Sequence, residues 1–198
     1  MMPTVVVPFR GTEGKGRLRK LPPEDRAALG QAMLADVLAA CLRSGAVYLV
    51  TPDDGPFPGS TIVHDQGAGQ GVAVQSGLSA AVGAGAGPPY LIVNADLPCV
   101  TPRDLLALAG AIPDHGLALA AAADGTTNAL ALASAELFAP LYGPGSAARF
   151  AALAPSRTLD VPNLIDDVDT LDDLKRLRAR LGAHTSTVLS SLHLGAAA

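Results

Sequence analysis

The sequence predicts an α/β fold built on one doubly wound, mainly parallel sheet, within a single domain spanning residues 1–198. Three observations predict it. Short apolar, β-branched runs alternate with stretches of helical periodicity. The run at 90–93 is apolar throughout, as in a strand covered on both faces. No repeat of fixed period and no linker-like stretch divides the 198 residues.

Taken in order, Val5-Val6-Val7 reads as the first strand, followed by a Gly- and Lys/Arg-rich loop over 10–20. Pro22-Pro23-Glu24-Asp25 opens a helix over 25–43, in which Leu29, Met33, Leu34, Val37, Leu38 and Cys41 recur at helical spacing. AVYLV (46–50) is a second strand and TIVHD (61–65) a third. A helix of small residues covers 71–83, and the turn GAGAGPP leads into strand 90–93. Thr101, Pro102 and Asp104 read as the N-cap, first helical residue and acidic first turn of a helix over 102–111. LALAAAA (117–123) is a strand or buried segment. TNALALA (127–133) alternates like a strand and suits an antiparallel excursion. A helix or turn covers 146–153. Thr170 to Asp173 cap a last helix reaching about Leu181, and the tail 183–198 is Ser- and Ala-rich and poorly specified.

Composition limits what such a chain does. Hydrophobic residues make up 49% and charged residues 16%, so the chain buries a core instead of staying disordered. A net charge of −4 argues against a general nucleic-acid or membrane-surface binder, and 4% aromatics without Trp offer no stacking platform for bases. No apolar run approaches the ~20 residues a membrane helix needs. MMPTVVVPFRG lacks the basic start and long apolar segment of a signal peptide. Cys41 and Cys99 sit in apolar sequence and suit buried thiols in a reducing compartment. These features predict a cytoplasmic protein. An apolar surface strip would suit a homodimer.

Four groups of residues are candidates for chemistry. In FRGTEGKGRLRKL (9–21), Arg10, Lys15, Arg17, Arg19 and Lys20 are five of the fourteen Lys and Arg residues, placed straight after the first strand. Gly11, Gly14 and Gly16 let backbone N–H groups approach phosphate oxygens. The pattern is neither G-x-G-x-x-G nor a P-loop. Concentrated basic charge in an acidic chain favours a phosphate-binding loop over a merely solvated one. Asp96 follows strand 90–93 at the edge where open α/β sheets bind ligands. In NLIDDVDTLDD, alternation puts Asp167 and Asp169 on one side, so that with Asp96 they would make an all-oxygen site for Mg²⁺. The same two residues would equally serve helix capping and turn formation, and spacing does not choose. Asp172 and Asp173 fit capping. Asp124-Gly125 marks a tight turn before Thr126, Thr127 and Asn128. Ser146 stands at a helix start, where an N-cap or an anion site would both suit it. The four histidines show no metal spacing, and no nucleophilic hydrolase motif occurs.

KGRL (15–18), RAALGQAMLADVL (26–38), NADLP (94–98), GTTNAL (125–130), YGPGS (142–146) and DDVDTLDDL (166–174) stand in register. In this order they resemble the guanylyltransferases of coenzyme F420 biosynthesis, over roughly residues 5–182. That family joins GTP to 2-phospho-L-lactate or phosphoenolpyruvate and shares a nucleotide-diphospho-sugar transferase, or glycosyltransferase A-like, fold with molybdenum-cofactor guanylyltransferases. The resemblance implies that Asp96, Asp167 and Asp169 bind Mg²⁺. It implies further that Asn128, Gly143 and Ser146 hold the phosphorylated acceptor. Lys15 and Arg17 would handle phosphate, with Arg10 and Gly11 beside them, and Gln75 and Ser76 would lie near the base. The composition, rich in Ala, Gly and Arg, is bacterial in character, and bacterial members tend to use phosphoenolpyruvate. Two positions depart from the family pattern: Phe9 replaces a common Lys, and Phe150 replaces a common His. The alternatives are a molybdenum-cofactor or sugar-phosphate nucleotidyltransferase, which GTTNAL and YGPGS fit less well, and a non-catalytic nucleotide-binding protein of the same fold.

Overall fold

Strands and helices alternate through the computed structural model, which describes residues 2–11, 18 and 21–192. The strands are β1 (Thr4–Pro8), β2 (Ala46–Thr51), β3 (Ser60–His64), β4 (Tyr90–Val93), β5 (Leu117–Ala121), β6 (Thr127–Leu132) and β7 (Ser156–Thr158). They pair in the order β3-β2-β1-β4-β6-β5-β7. All neighbours run parallel except β6, which is antiparallel to both β4 and β5. The expected excursion over 127–133 is therefore this one reversed strand. The helices are α1 (Pro23–Leu42), α2 (Gln70–Gly83), α3 (Pro102–Gly110), α4 (Ser146–Ala151), α5 (Pro162–Ile165), α6 (Leu171–Leu177) and α7 (Ala183–Ser191). None of the described helices is long and apolar enough to cross a membrane.

Alternation along β1 explains the double winding. Val5 and Val7 pack with Leu34, Val37 and Cys41 of α1 and with Leu105 and Leu108 of α3. Val6, between them, packs on the opposite face with Val74 and Leu78 of α2 and with Phe150 of α4. Because both faces are covered, β1 and β4 are buried along their whole length, as their apolar runs require. The chain passes from β1 through α1 and β2 to one side, then returns by α2 to β4 on the other. The gap beyond the ends of β1 and β4 is thus the topological switch point, where such sheets bind ligands.

Two helices carry the expected caps. Thr101 and Asp104 form a reciprocal capping box on α3, and Thr170 and Asp173 form one on α6. The last expected helix ends earlier than its periodicity suggested, at Leu177. Beyond it, the Ser- and Ala-rich segment forms α7, contrary to its weak pattern. Its first N–H groups are satisfied from far away in sequence: His184 N and Thr185 N donate to the Asp36 carboxylate on α1, at 3.0 and 2.8 Å. Gly182 lets the backbone come this close, since a Cβ there would lie 2.2 Å from Asp36 Cγ. The structure also adds β7 and α5. β7 is three exposed residues on the sheet edge, without an apolar pattern to announce it.

Candidate active site

A cavity of about 340 Å³ opens at the switch point, lined from the ends of β1 and β4, the start of β6, and the stretches 142–146 and 167–169. Asp96 reaches it because β4 ends at Val93 and Asn94-Ala95-Asp96 carry the chain over the sheet edge. Between α5 and α6 the chain crosses beside Asp96 without forming a strand. There the N–H of Val168 donates to the Asp96 carbonyl at 3.0 Å. Val168 is fully buried in a cluster with Leu29, Met33 and Cys99, so its neighbours Asp167 and Asp169 turn together toward the cavity. Carboxylate oxygens of Asp96, Asp167 and Asp169 all lie within 4.8 Å of one another.

Three carboxylates this close repel. Asp167 is pushed up to about 6, by burial first and then by the charges of Asp96 and Asp169, against the hydrogen bond it receives from the Asn128 side chain. Asp65 and Asp124 add two more carboxylates to the lining, and among the described lining residues Arg10 is the only cation. Such a wall would reject a polyphosphate by itself. The all-oxygen donor set and its excess negative charge fit a hard divalent cation.

The structure sorts the other expected residues. Arg10 and Gly11 line the cavity just past β1. Gly11 has φ +76°, and a Cβ there would meet Asp53 Oδ1 at 2.9 Å, so a side chain would obstruct this turn. Lys15 and Arg17 lie outside the described residues, with most of the basic loop. Asn128, Gly143 and Ser146 all line the cavity. Asn128, however, is buried, and its Nδ2 donates to the Ile165 carbonyl at 2.8 Å, which ties the 165–169 stretch to β6. Ser146 is not the N-cap of α4; Gly145, in the left-handed region at φ 70°, takes that place. The Ser146 hydroxyl is fully buried, 3.0 Å from Thr127 Oγ1, and its N–H donates to the Gly143 carbonyl.

Gln75 and Ser76, expected near the base, do not line the cavity. They lie more than a turn into α2, with Gln75 facing solvent, and it is the start of the helix that meets the site. Gln70 and Asn94 line it instead, unflagged by sequence reasoning. Gln70 Nε2 donates to Asn94 Oδ1 at 2.8 Å, and Asn94 Nδ2 donates to the Thr127 carbonyl at 3.1 Å. Asn94 was visible in NADLP, beside Asp96, but only strand pairing reveals that its amide bridges β4 to β6. The two departures from the family pattern are both apolar supports. Phe9 is buried against the core. Phe150 is fully buried and packs edge-on against Tyr142, ring centroids 5.2 Å apart, beneath the cavity wall.

Residues 26–155 match the model of the MobA-like NTP transferase domain. The phosphoenolpyruvate guanylyltransferase of Sphaerobacter thermophilus is 36% identical over 193 residues, covering 89% of this chain and 93% of that one. The chain belongs to the phosphoenolpyruvate and 2-phospho-L-lactate guanylyltransferase family. Within it, the 2-phospho-L-lactate guanylyltransferase of Natrialba magadii is 35% identical, with 86% of this chain and 80% of that one covered. Membership makes the protein a nucleotidyltransferase, and the fold agrees. The 2-C-methyl-D-erythritol 4-phosphate cytidylyltransferase of Thermus thermophilus superposes with a TM-score of 0.61 at 17% identity, over 90% of this chain and 98% of that one. A Mycobacterium tuberculosis protein crystallised as a manganese complex superposes with a TM-score of 0.54 at 22% identity, over 89% and 98%.

Proposed function

We propose that this guanylyltransferase moves GMP from GTP to a phosphorylated three-carbon acid, phosphoenolpyruvate in preference to 2-phospho-L-lactate, and releases pyrophosphate. The observation that carries the reading is the convergence of Asp96, Asp167 and Asp169 in the switch-point cavity of a chain from this family. In this reading the three carboxylates hold Mg²⁺, which offsets charge on the α-phosphate and the departing pyrophosphate. Manganese in a protein of the same fold supports a divalent ion here.

The acceptor phosphate is already anionic near neutral pH, so no side chain has to remove a proton from it. The task left to the chain is to bring two anions together in line. Arg10 and the backbone at Gly11, joined by Lys15 and Arg17, would take the triphosphate. Asn128, Gly143 and Ser146, which line the same cavity, would hold the acceptor. We assign the enzyme to the cytoplasm and to coenzyme F420 biosynthesis, without nucleic-acid or membrane partners.

Incubating the protein with GTP, ATP, CTP or UTP against a panel of phosphorylated acids, and measuring pyrophosphate, tests the reading. Release with GTP and phosphoenolpyruvate is expected. Release with CTP and a sugar phosphate, or magnesium-dependent GTP binding with no pyrophosphate from any acceptor, would overturn it.

A further inference from the structure

We propose that Arg176 and Arg180 are positioning residues, which fix the stretch bearing Asp167 and Asp169 by clamping Asp166 between them. The inference rests on the cation reading above. Arg176 Nη1 donates to Asp166 Oδ1 at 2.6 Å, and Arg180 Nη2 donates to Asp166 Oδ2, so each carboxylate oxygen is held by a different guanidinium. Arg176 Nη2 also donates to Asp173 Oδ1 at 3.2 Å. The other oxygen of Asp173 accepts from Asp169 N at 3.3 Å and from Thr170 N at 2.9 Å. Arg176 therefore bridges both ends of the ligand stretch. Arg180 Nη1 donates to Asn163 Oδ1 at 2.9 Å, and Asn163 Nδ2 donates to Asp104 Oδ2 at 3.0 Å. Asp104 is half of the capping box that follows the Asp96 loop. The two segments carrying the three carboxylates are thus tied to one another through side chains as well as through the Val168 bond.

Stability is not a sufficient account of this arrangement. The side chains of Arg176 and Arg180 are 51% and 37% exposed, a setting in which isolated ion pairs add little, and only their linkage into one network adds more. Attraction does not account for it either, because two guanidinium charges beside a cation site repel the cation. Geometry does account for it. The stretch 166–169 forms no strand or helix of its own, and a rigid two-pronged donor fixes a carboxylate in direction as well as distance. Asn128 holds the near side of the stretch by its bond to Ile165, and the two arginines hold the far side.

The test is Mn²⁺ binding by calorimetry, without nucleotide, to wild type, Arg176→Gln, Arg180→Gln and the paired variant, each checked by thermal melting. Loss of a group that orients metal ligands typically weakens binding about 10–100-fold, and a weakening of that order is expected for the pair. Through-space charge alone has the opposite sign and would tighten binding. Unchanged or tighter binding in the arginine variants therefore overturns the clamp. Should the pair not fold, Arg180→Lys, which keeps the charge but not the fork, carries the test: severalfold weaker binding is expected, and binding like wild type overturns the proposal. Asp96→Asn separates the two levels. If it binds Mn²⁺ as wild type does, the cation reading falls and the clamp with it. If it abolishes binding while the arginine variants bind normally, only the clamp falls.

Discussion

Val168 donates its main-chain N–H to the carbonyl of Asp96 at 3.0 Å, and this bond joins two stretches that are far apart in sequence. It links the Asp96 loop to the stretch carrying Asp167 and Asp169 through main-chain atoms, so the Asp96 carboxylate can be replaced without breaking that link. Asp96→Asn should accordingly keep the secondary structure and melting profile of the wild type. It should lose nucleotidyl transfer by about 10³-fold, the equivalent of about 4 kcal/mol of transition-state stabilisation. Circular dichroism with a pyrophosphate assay checks both halves, and near-normal turnover at saturating Mg²⁺ would refute the assignment.

Crowding of the carboxylates also predicts a pH dependence. Asp167 is pushed up to about 6, so below that pH a cation has to displace a proton. Affinity should fall there by up to about tenfold per pH unit and level off above it. The sign for folding is reversed. The native state holds this proton more tightly than the unfolded chain, where an aspartate titrates near about 4. This group's contribution to stability is thus complete below the unfolded value and is lost as pH rises through the folded one. Calorimetric Mn²⁺ titrations on either side of pH 6 test the first part, and affinity independent of pH would contradict it.

Asp36 predicts a stability effect remote from the chemistry. Asp36→Ala removes both acceptors at the start of α7 and should cost about 1–2 kcal/mol, lowering the melting temperature by roughly 2–4 °C per kcal/mol. Turnover at low temperature should not change. Gly182→Ala should be worse than the cap deletion, because its Cβ would strike the same carboxylate. A melting curve for each variant decides, and equal stability with wild type would argue against the docking of α7 on α1.

Phe150 and Gln75 should contrast. Phe150 fills a fully buried site between Phe138 and Tyr142, so Phe150→Ala should destabilise by about 3–5 kcal/mol. Gln75 is exposed and lies off the cavity wall. Gln75→Ala should move stability by no more than about 0.5 kcal/mol and leave the KM for GTP unchanged. Chemical denaturation and steady-state kinetics measure the two, and a raised KM for GTP in Gln75→Ala would return that residue to the site.

Where local physics decides, the sequence was readable. The apolar run at Tyr90–Val93, the capping boxes at Thr101 and Thr170, and the alternation around Val168 each depend on neighbours within a few positions, and each is found in the fold. What was not readable depends on distant partners. α7 has an unremarkable pattern because its cap comes from α1. β7 is too short and exposed to show alternation. Ser146 reads as an N-cap until Gly145 is seen to adopt the left-handed conformation there. In the site, the aspartates stood out as charges, but Gln70 and Asn94 did not. Their importance arises from a bond between the start of α2 and the end of β4, which no spacing along the chain encodes.

The reversal of β6 has a consequence for how the cleft can diversify. A parallel strand in that place would bring its finish to the rim, whereas β6 brings its beginning, preceded by the tight hairpin at Asp124-Gly125. One bank of the cleft is therefore made of strand exits and the other of a hairpin entry, and insertions in the hairpin would reshape the second bank while the first kept its contours. Evolution could retune the choice of one reactant on this scaffold without disturbing the grip on the other.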